Sequence, residues 1–151
     1  MKKIFISCTI LAIFFACKSE PEDRKNGFSE PVISREDSLM KEVMEGHDVG
    51  MAKMSKIYKC KKKAMATIDS LMLAPSAQKD LEKVSVYRGL LDQLTDADIT
   101  MMQWMDNFKR DSAVGNPEKR IQYLEQEKLK VTMVKQKIIN SLALADSLFN
   151  Q

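Results

Sequence analysis

The side chains best suited to hold something in this chain are soft donors. It has one histidine, His47, together with eleven methionines and three cysteines. Met51 follows His47 by four residues and Met54 follows Met51 by three, so the three share one face of a helix. Met101 and Met105 repeat the four-residue spacing just after Asp98. Imidazole and thioether suit Cu(I), and a carboxylate such as Asp98 would extend the set to a harder ion. One reading is therefore a Cu(I)-type site built from His47, Met51, Met54, Asp98, Met101 and Met105. A haem held by His47 and a methionine is a variant of it, although no Cys-x-x-Cys-His attachment is present. The other reading needs no cofactor. Methionine fills irregular cores, and a core histidine is satisfied by one hydrogen bond, here donated to Asp98. Catalysis has no support in the sequence: it contains no phosphate loop, nucleophile elbow or His-Glu-x-x-His. The expectation is a protein that is not an enzyme.

Three long helices have to position these residues. Met40, His47, Met54, Lys61 and Ile68 recur every seventh residue, with Val43, Gly50, Ile57, Ala64 and Leu71 three places behind. Met44, Met51, Tyr58, Met65 and Met72 follow one place later, completing an apolar stripe over residues 34–73. Ser34 is the expected N-cap, with Glu36 and Asp37 in the first turn. Gly46 and Gly50 weaken the helix around His47 and permit either a bend or a close helix approach. Ala74-Pro75-Ser76 ends the segment. A second helix over residues 77–109 carries Val84, Leu91, Asp98 and Met105 on one row and Tyr87, Leu94, Met101 and Phe108 on the next. Thr95 to Asp98 also reads as a capping box at a break in this helix. After a loop from Asp111 to Gly115, Asn116-Pro117 starts a third helix over 117–149, with its seam at Leu124, Val131, Ile138 and Ala145. Ile121, Val134, Leu142 and Leu148 support that seam. Strand signals are absent. The expected fold is all-α, an antiparallel three-helix bundle over 34–151. Folding the chain at Ala74-Pro75 and near Val114 gathers His47, Met51, Asp98, Met101, Met105 and Glu127 at one end.

The N-terminus reads as an export signal. Lys2 and Lys3 precede an apolar run from Ile4 to Phe15, too short for an ordinary transmembrane helix. Phe14-Phe15-Ala16-Cys17 resembles a bacterial lipobox, which implies cleavage after residue 16 and acylation of Cys17. Two or three acyl chains, palmitate among them, anchor a protein stably. Residues 17–33 are charged, hold Pro21, Gly27 and Pro31, and read as a flexible tether. Lys18 followed by Glu20, Glu22 and Asp23 resembles the surface-export signal of some Gram-negative lipoproteins; a solvated linker start explains it equally. The expected location is the cell envelope, lipid-anchored at the outer membrane, on its periplasmic or its exposed face. Cleavage removes Lys2 and Lys3 from a formal charge of +3 and leaves the mature chain near neutral. That balance implies no strong electrostatic partner and argues against nucleic acid.

Cys60 is the cysteine left over, since Cys8 departs with the signal. It lies outside the stripe among Lys59, Lys61, Lys62 and Lys63, which favour its thiolate. It reads as a surface thiol, with a metal ligand or an intermolecular disulfide as alternatives. With Lys53 and Lys56 the lysines make a basic band, either a solvated face or a contact for anionic headgroups. Asp37-Ser38-Leu39, Asp69-Ser70-Leu71, Asp111-Ser112-Ala113 and Asp146-Ser147-Leu148 repeat an Asp-Ser-apolar triplet that resembles an O-glycosylation acceptor of some Gram-negatives, with Ser112 in the loop best placed. Helix capping explains the same Asp-Ser pairs. Lys61, Lys128 and Lys135 at stripe positions permit self-association.

The stretches His47-Asp48-Val49-Gly50-Met51-Ala52-Lys53-Met54 and Asp98-Ile99-Thr100-Met101-Met102-Gln103-Trp104-Met105 resemble a family of small helical lipoproteins of bacteria. Members are sometimes labelled viral A-type inclusion protein repeat, a name borrowed from coiled-coil similarity. The resemblance implies a helical envelope lipoprotein and no established activity, and it assigns no role to individual residues. The expectation for this methionine-rich chain is that it binds an envelope protein partner or serves as a structural element.

Overall fold

Three segments carry a start signal for a helix, and each begins one. The structure, a computed structural model, describes residues 33–75 and 80–150. The expected signal peptide, the lipidated Cys17 and all of the tether but Ile33 lie outside the described residues. α1 spans Arg35–Leu73. The Asp37 N–H donates to Ser34 Oγ at 3.0 Å, filling one of the open donors of the first turn. α2 spans Leu81–Asn107, and Asp80 caps it by accepting from the Lys83 N–H at 2.9 Å. That bond holds the Asp80 carboxyl below its ordinary range, with the Lys83 ammonium assisting. α3 spans Pro117–Phe149, with Asn116 accepting from the Lys119 N–H at 3.0 Å and Pro117 in the first turn.

α2 ends two residues before the sequence expectation, for a reason visible in its packing. Phe108 leaves the helix and stacks on Trp104 at 5.1 Å and on Tyr123 at 6.2 Å. The Tyr123 hydroxyl then accepts the next free backbone donor, the Lys109 N–H, at 2.7 Å. The loop that follows turns through Ala113, whose φ of 59° is left-handed. Arg120 fixes this loop to the first turn of α1. Its guanidinium donates to the Ser112 carbonyl at 2.9 Å and to Glu36 at 3.0 Å.

The described residues form an all-helical bundle in which each helix packs on the other two. Cross-links fix the directions. Arg35–Glu125 and Lys56–Asp146 ascend together along α1 and α3, with Glu42–Lys128 between them, so these two run parallel. Lys137–Asp96 and Trp104–Glu127 run in opposite senses along α2 and α3, which are therefore antiparallel. α1 is unbroken over 39 residues, roughly 60 Å. Its glycines serve close approach. A Cβ on Gly46 would lie 2.9 Å from Val131 Cγ1, and one on Gly50 would collide with Met101 Cε.

The face that α1 buries is rotated from the expected one. Val43, Gly50, Ile57 and Ala64 form its centre as expected. The methionine row does not flank them: Met51, Tyr58, Met65 and Met72 are exposed. Leu39, Gly46 and Cys60 take that place on the side toward α3. A helix wedged between two partners needs a flank for each, and the flank toward α3 is the one built from small residues. Cys60 is thus 8% exposed and not a surface thiol. Burial pushes its thiol above the ordinary value, against the opposing pull of Lys56 and Lys63. The expected bias toward thiolate is reversed.

Candidate functional site

One layer of side chains crosses all three helices near the loop end of the bundle, and Trp104 is its hub. The residue is nearly buried on α2. On the α3 side its indole N–H donates to Glu127 Oε2 at 3.0 Å. Glu127 is only 4% exposed, and its other oxygen accepts from Lys130 Nζ at 2.7 Å. That bond raises the Lys130 ammonium above its ordinary value. Trp104, Glu127, Lys130, Met133, Val134 and Lys137 help line a cleft of about 580 Å³ between α2 and α3. Thr100, Gln103 and Asn107 supply polar lining from α2. Its lining surface is mainly apolar with several polar and charged groups among it, the usual composition of a small-molecule or peptide-side-chain pocket.

On the α1 side the same indole meets His47, with ring centroids 5.7 Å apart. The imidazole is held from both ends. Nδ1 lies 2.8 Å from Asp48 Oδ1, and Nε2 lies 3.3 Å from Met105 Sδ. Met44, His47, Trp104, Met105, Phe108 and Arg110 line a second cavity of about 260 Å³ here. Trp104 therefore separates two recesses, one with charged groups in its lining and one rich in soft donors.

Of the six residues expected to converge, the structure brings His47 and Met105 into contact. Met101 is fully buried and packs over Gly50, and Met54 lies in the core. Met51 is 37% exposed. Asp98 is not a partner of His47. It accepts from Lys61 Nζ at 2.8 Å and from the Tyr58 hydroxyl at 3.3 Å, residues about three to four helical turns beyond His47 on α1. The connection between α1 and α2 is longer than expected, and the longer span shifts the register. Nor does Asp98 cap a break, because α2 is continuous through it. Among the described residues no three His, Cys, Asp or Glu side chains form a ligand cluster. Any metal held by this layer would have to draw on thioethers.

The remaining candidates are occupied in part. Lys61 and Lys128, which could have favoured self-association, pair within the chain with Asp98 and Glu42. In the basic band, Lys56 bonds Asp146 and is raised by it, while Lys63 lies over the Phe149 ring at 4.3 Å. Ser112 sits half-buried in the loop before α3, with its carbonyl bound by Arg120. Arg120 itself escaped the sequence reading. The signal was present: Arg120, Glu127, Val134 and Ser141 recur every seventh residue, and all four are buried.

No family model, no curated protein and no solved structure matches this chain. Among the described residues no helix is long and apolar enough to cross a membrane.

Proposed function

We propose that this chain is a lipid-anchored, non-enzymatic helical protein of the bacterial cell envelope, held at the outer membrane through Cys17, and that it works by binding. The anchoring half rests on the sequence Phe14-Phe15-Ala16-Cys17 behind a charged apolar leader. The observation that carries binding is the α2/α3 cleft, where a bonded carboxylate and two lysines share the lining with Trp104, Met133 and Val134. The ionisable groups there are already engaged: Glu127 by Trp104 and Lys130, Lys137 by Asp96. A preorganised lining of that kind orients a ligand and costs little to hold in place.

Cys17→Ser tests the anchor. The variant loses acyl labelling and leaves the membrane fraction; continued labelling would end the lipoprotein reading. A second reading, binding or buffering of a soft metal such as Cu(I), is favoured by one contact, the 3.3 Å approach of His47 Nε2 to Met105 Sδ.

A further inference from the structure

We infer that the corner formed by His47, Met105 and Met44 beside Trp104 is a binding site for one soft monovalent cation, Cu(I) or Ag(I). This deepens the soft-metal reading and rests on it, but it assigns a different ligand set from the one the sequence suggested.

The geometry starts from Asp48. With the ring proton on Nδ1, donated to Asp48 at 2.8 Å, Nε2 carries a lone pair. That lone pair faces the thioether of Met105 at 3.3 Å. Two electron-pair donors then confront each other in a half-buried corner, an arrangement that a cation between them would satisfy. A carboxylate behind the distal ring nitrogen is also the usual way a protein orients a ligating histidine and raises its basicity. Met44 lies one turn before His47 on α1, a three-residue neighbour on the same face, and lines the same cavity. It supplies the third soft donor.

Charge and softness select the ion. Thioether and imidazole donors suit Cu(I) and its congener. The indole of Trp104, whose centroid is 5.7 Å from the imidazole, presents the ring type that attracts cations best. Arg110 lines the cavity too, and its repulsion grows with the charge of the ion, which disfavours a divalent one. Cys60 takes no part. It is buried in the core and does not line the cavity.

Trp104 is the only tryptophan in the chain, so its fluorescence reports on the layer it centres, and the His47 and Met105 variants separate this corner from the α2/α3 cleft on its other side. The full-length protein, purified from membranes in detergent, is titrated with Ag(I) in halide-free buffer, and bound silver is counted by elemental analysis. One equivalent quenches Trp104. His47→Gln and Met105→Leu each weaken the quenching by about tenfold or more. Asp48→Asn weakens it by about tenfold, as loss of an orienting partner does. Asp48 is exposed, so that variant keeps the fold; Met105→Leu nearly conserves volume. Cys60→Ser leaves the titration unchanged. Silver bound without a Trp104 response, or with a response indifferent to His47 and Met105 or dependent on Cys60, would overturn this site and leave the soft-metal reading standing. No bound silver at all would overturn both.

Discussion

Asp98 and Glu127 are both buried carboxylates on the bundle's inner rows, and they are held in opposite ways. Asp98 receives a cation from a neighbouring helix, Lys61 on α1, whose side chain is largely covered. Glu127 receives its cation from its own helix, and Lys130 is more than half exposed. What reaches Glu127 from another helix is a neutral donor, the Trp104 indole. The α1/α2 seam is thus joined by a shielded ion pair and the α2/α3 seam by a charge-assisted hydrogen bond. The two designs respond differently to loss of a partner, since a stranded buried charge costs more than a lost surface charge.

The largest expected effect comes from the hub. Trp104→Ala empties the layer and leaves Glu127 Oε2 without its indole donor, and should lower unfolding free energy by about 3–5 kcal/mol. Urea denaturation measures it; a loss below about 1 kcal/mol would mean that the layer is not packed. Next is Lys61→Met, which leaves Asp98 with the tyrosine alone. It should cost about 2 kcal/mol, less than a fully buried pair because Lys61 keeps some solvent. Adding Asp98→Leu should recover most of that loss, whereas Lys130→Met should stay within about 1 kcal/mol of wild type. Equal costs for Lys61→Met and Lys130→Met would erase the contrast between the seams.

The smallest effect belongs to Cys60, the buried ionisable group with no charged partner of its own. Its thiol is raised by burial above an ordinary value of 9.0. The unfolded chain therefore loses the proton first. The contribution of Cys60 is fully present below pH 9.0 and fades as pH climbs toward the folded value. Urea midpoints compared between pH 8 and pH 10 should fall further for wild type than for Cys60→Ala. Identical slopes would return the thiol to the surface.

Much of this was legible in the residues. Ser34, Pro75, Asn116 and Pro117 mark helix ends by backbone chemistry that tertiary context does not override. The α3 seam at Leu124, Val131, Ile138 and Ala145 was legible because branched apolar residues alternate with charged ones there. The rotation of α1 was not. Methionine is apolar yet tolerated outside, and Gly46 and Cys60 are small enough to suit either face, so periodicity alone placed Met51 and Met65 inside. The pairing of Asp98 was hidden for a different reason. Register depends on the length of the α1/α2 connection, and the later start of α2 at Leu81 slides Asp98 along α1 to where the long Lys61 side chain and the Tyr58 hydroxyl reach it. Trp104 as hub was not legible either, since nothing along α2 tells which of two recesses an indole will face.

The seam between α1 and α3 also bears on the order in which the chain takes shape. Its links join residues far apart: Arg35 to Glu125 and Lys56 to Asp146 each span 90 positions, and Glu36 to Arg120 spans 84. Contacts so distant are made late, after the cost of closing the loop has been met. A chain emerging from its N-terminus closes the α1/α2 hairpin first. Until α3 arrives, Gly46 has no Val131 against it, Arg120 clamps nothing, and Cys60 stands open to oxidants. The third helix therefore acts as the closing step of assembly. A chain cut short after α2 would leave the face of α1 around Gly46 uncovered and the Cys60 thiol open to solvent.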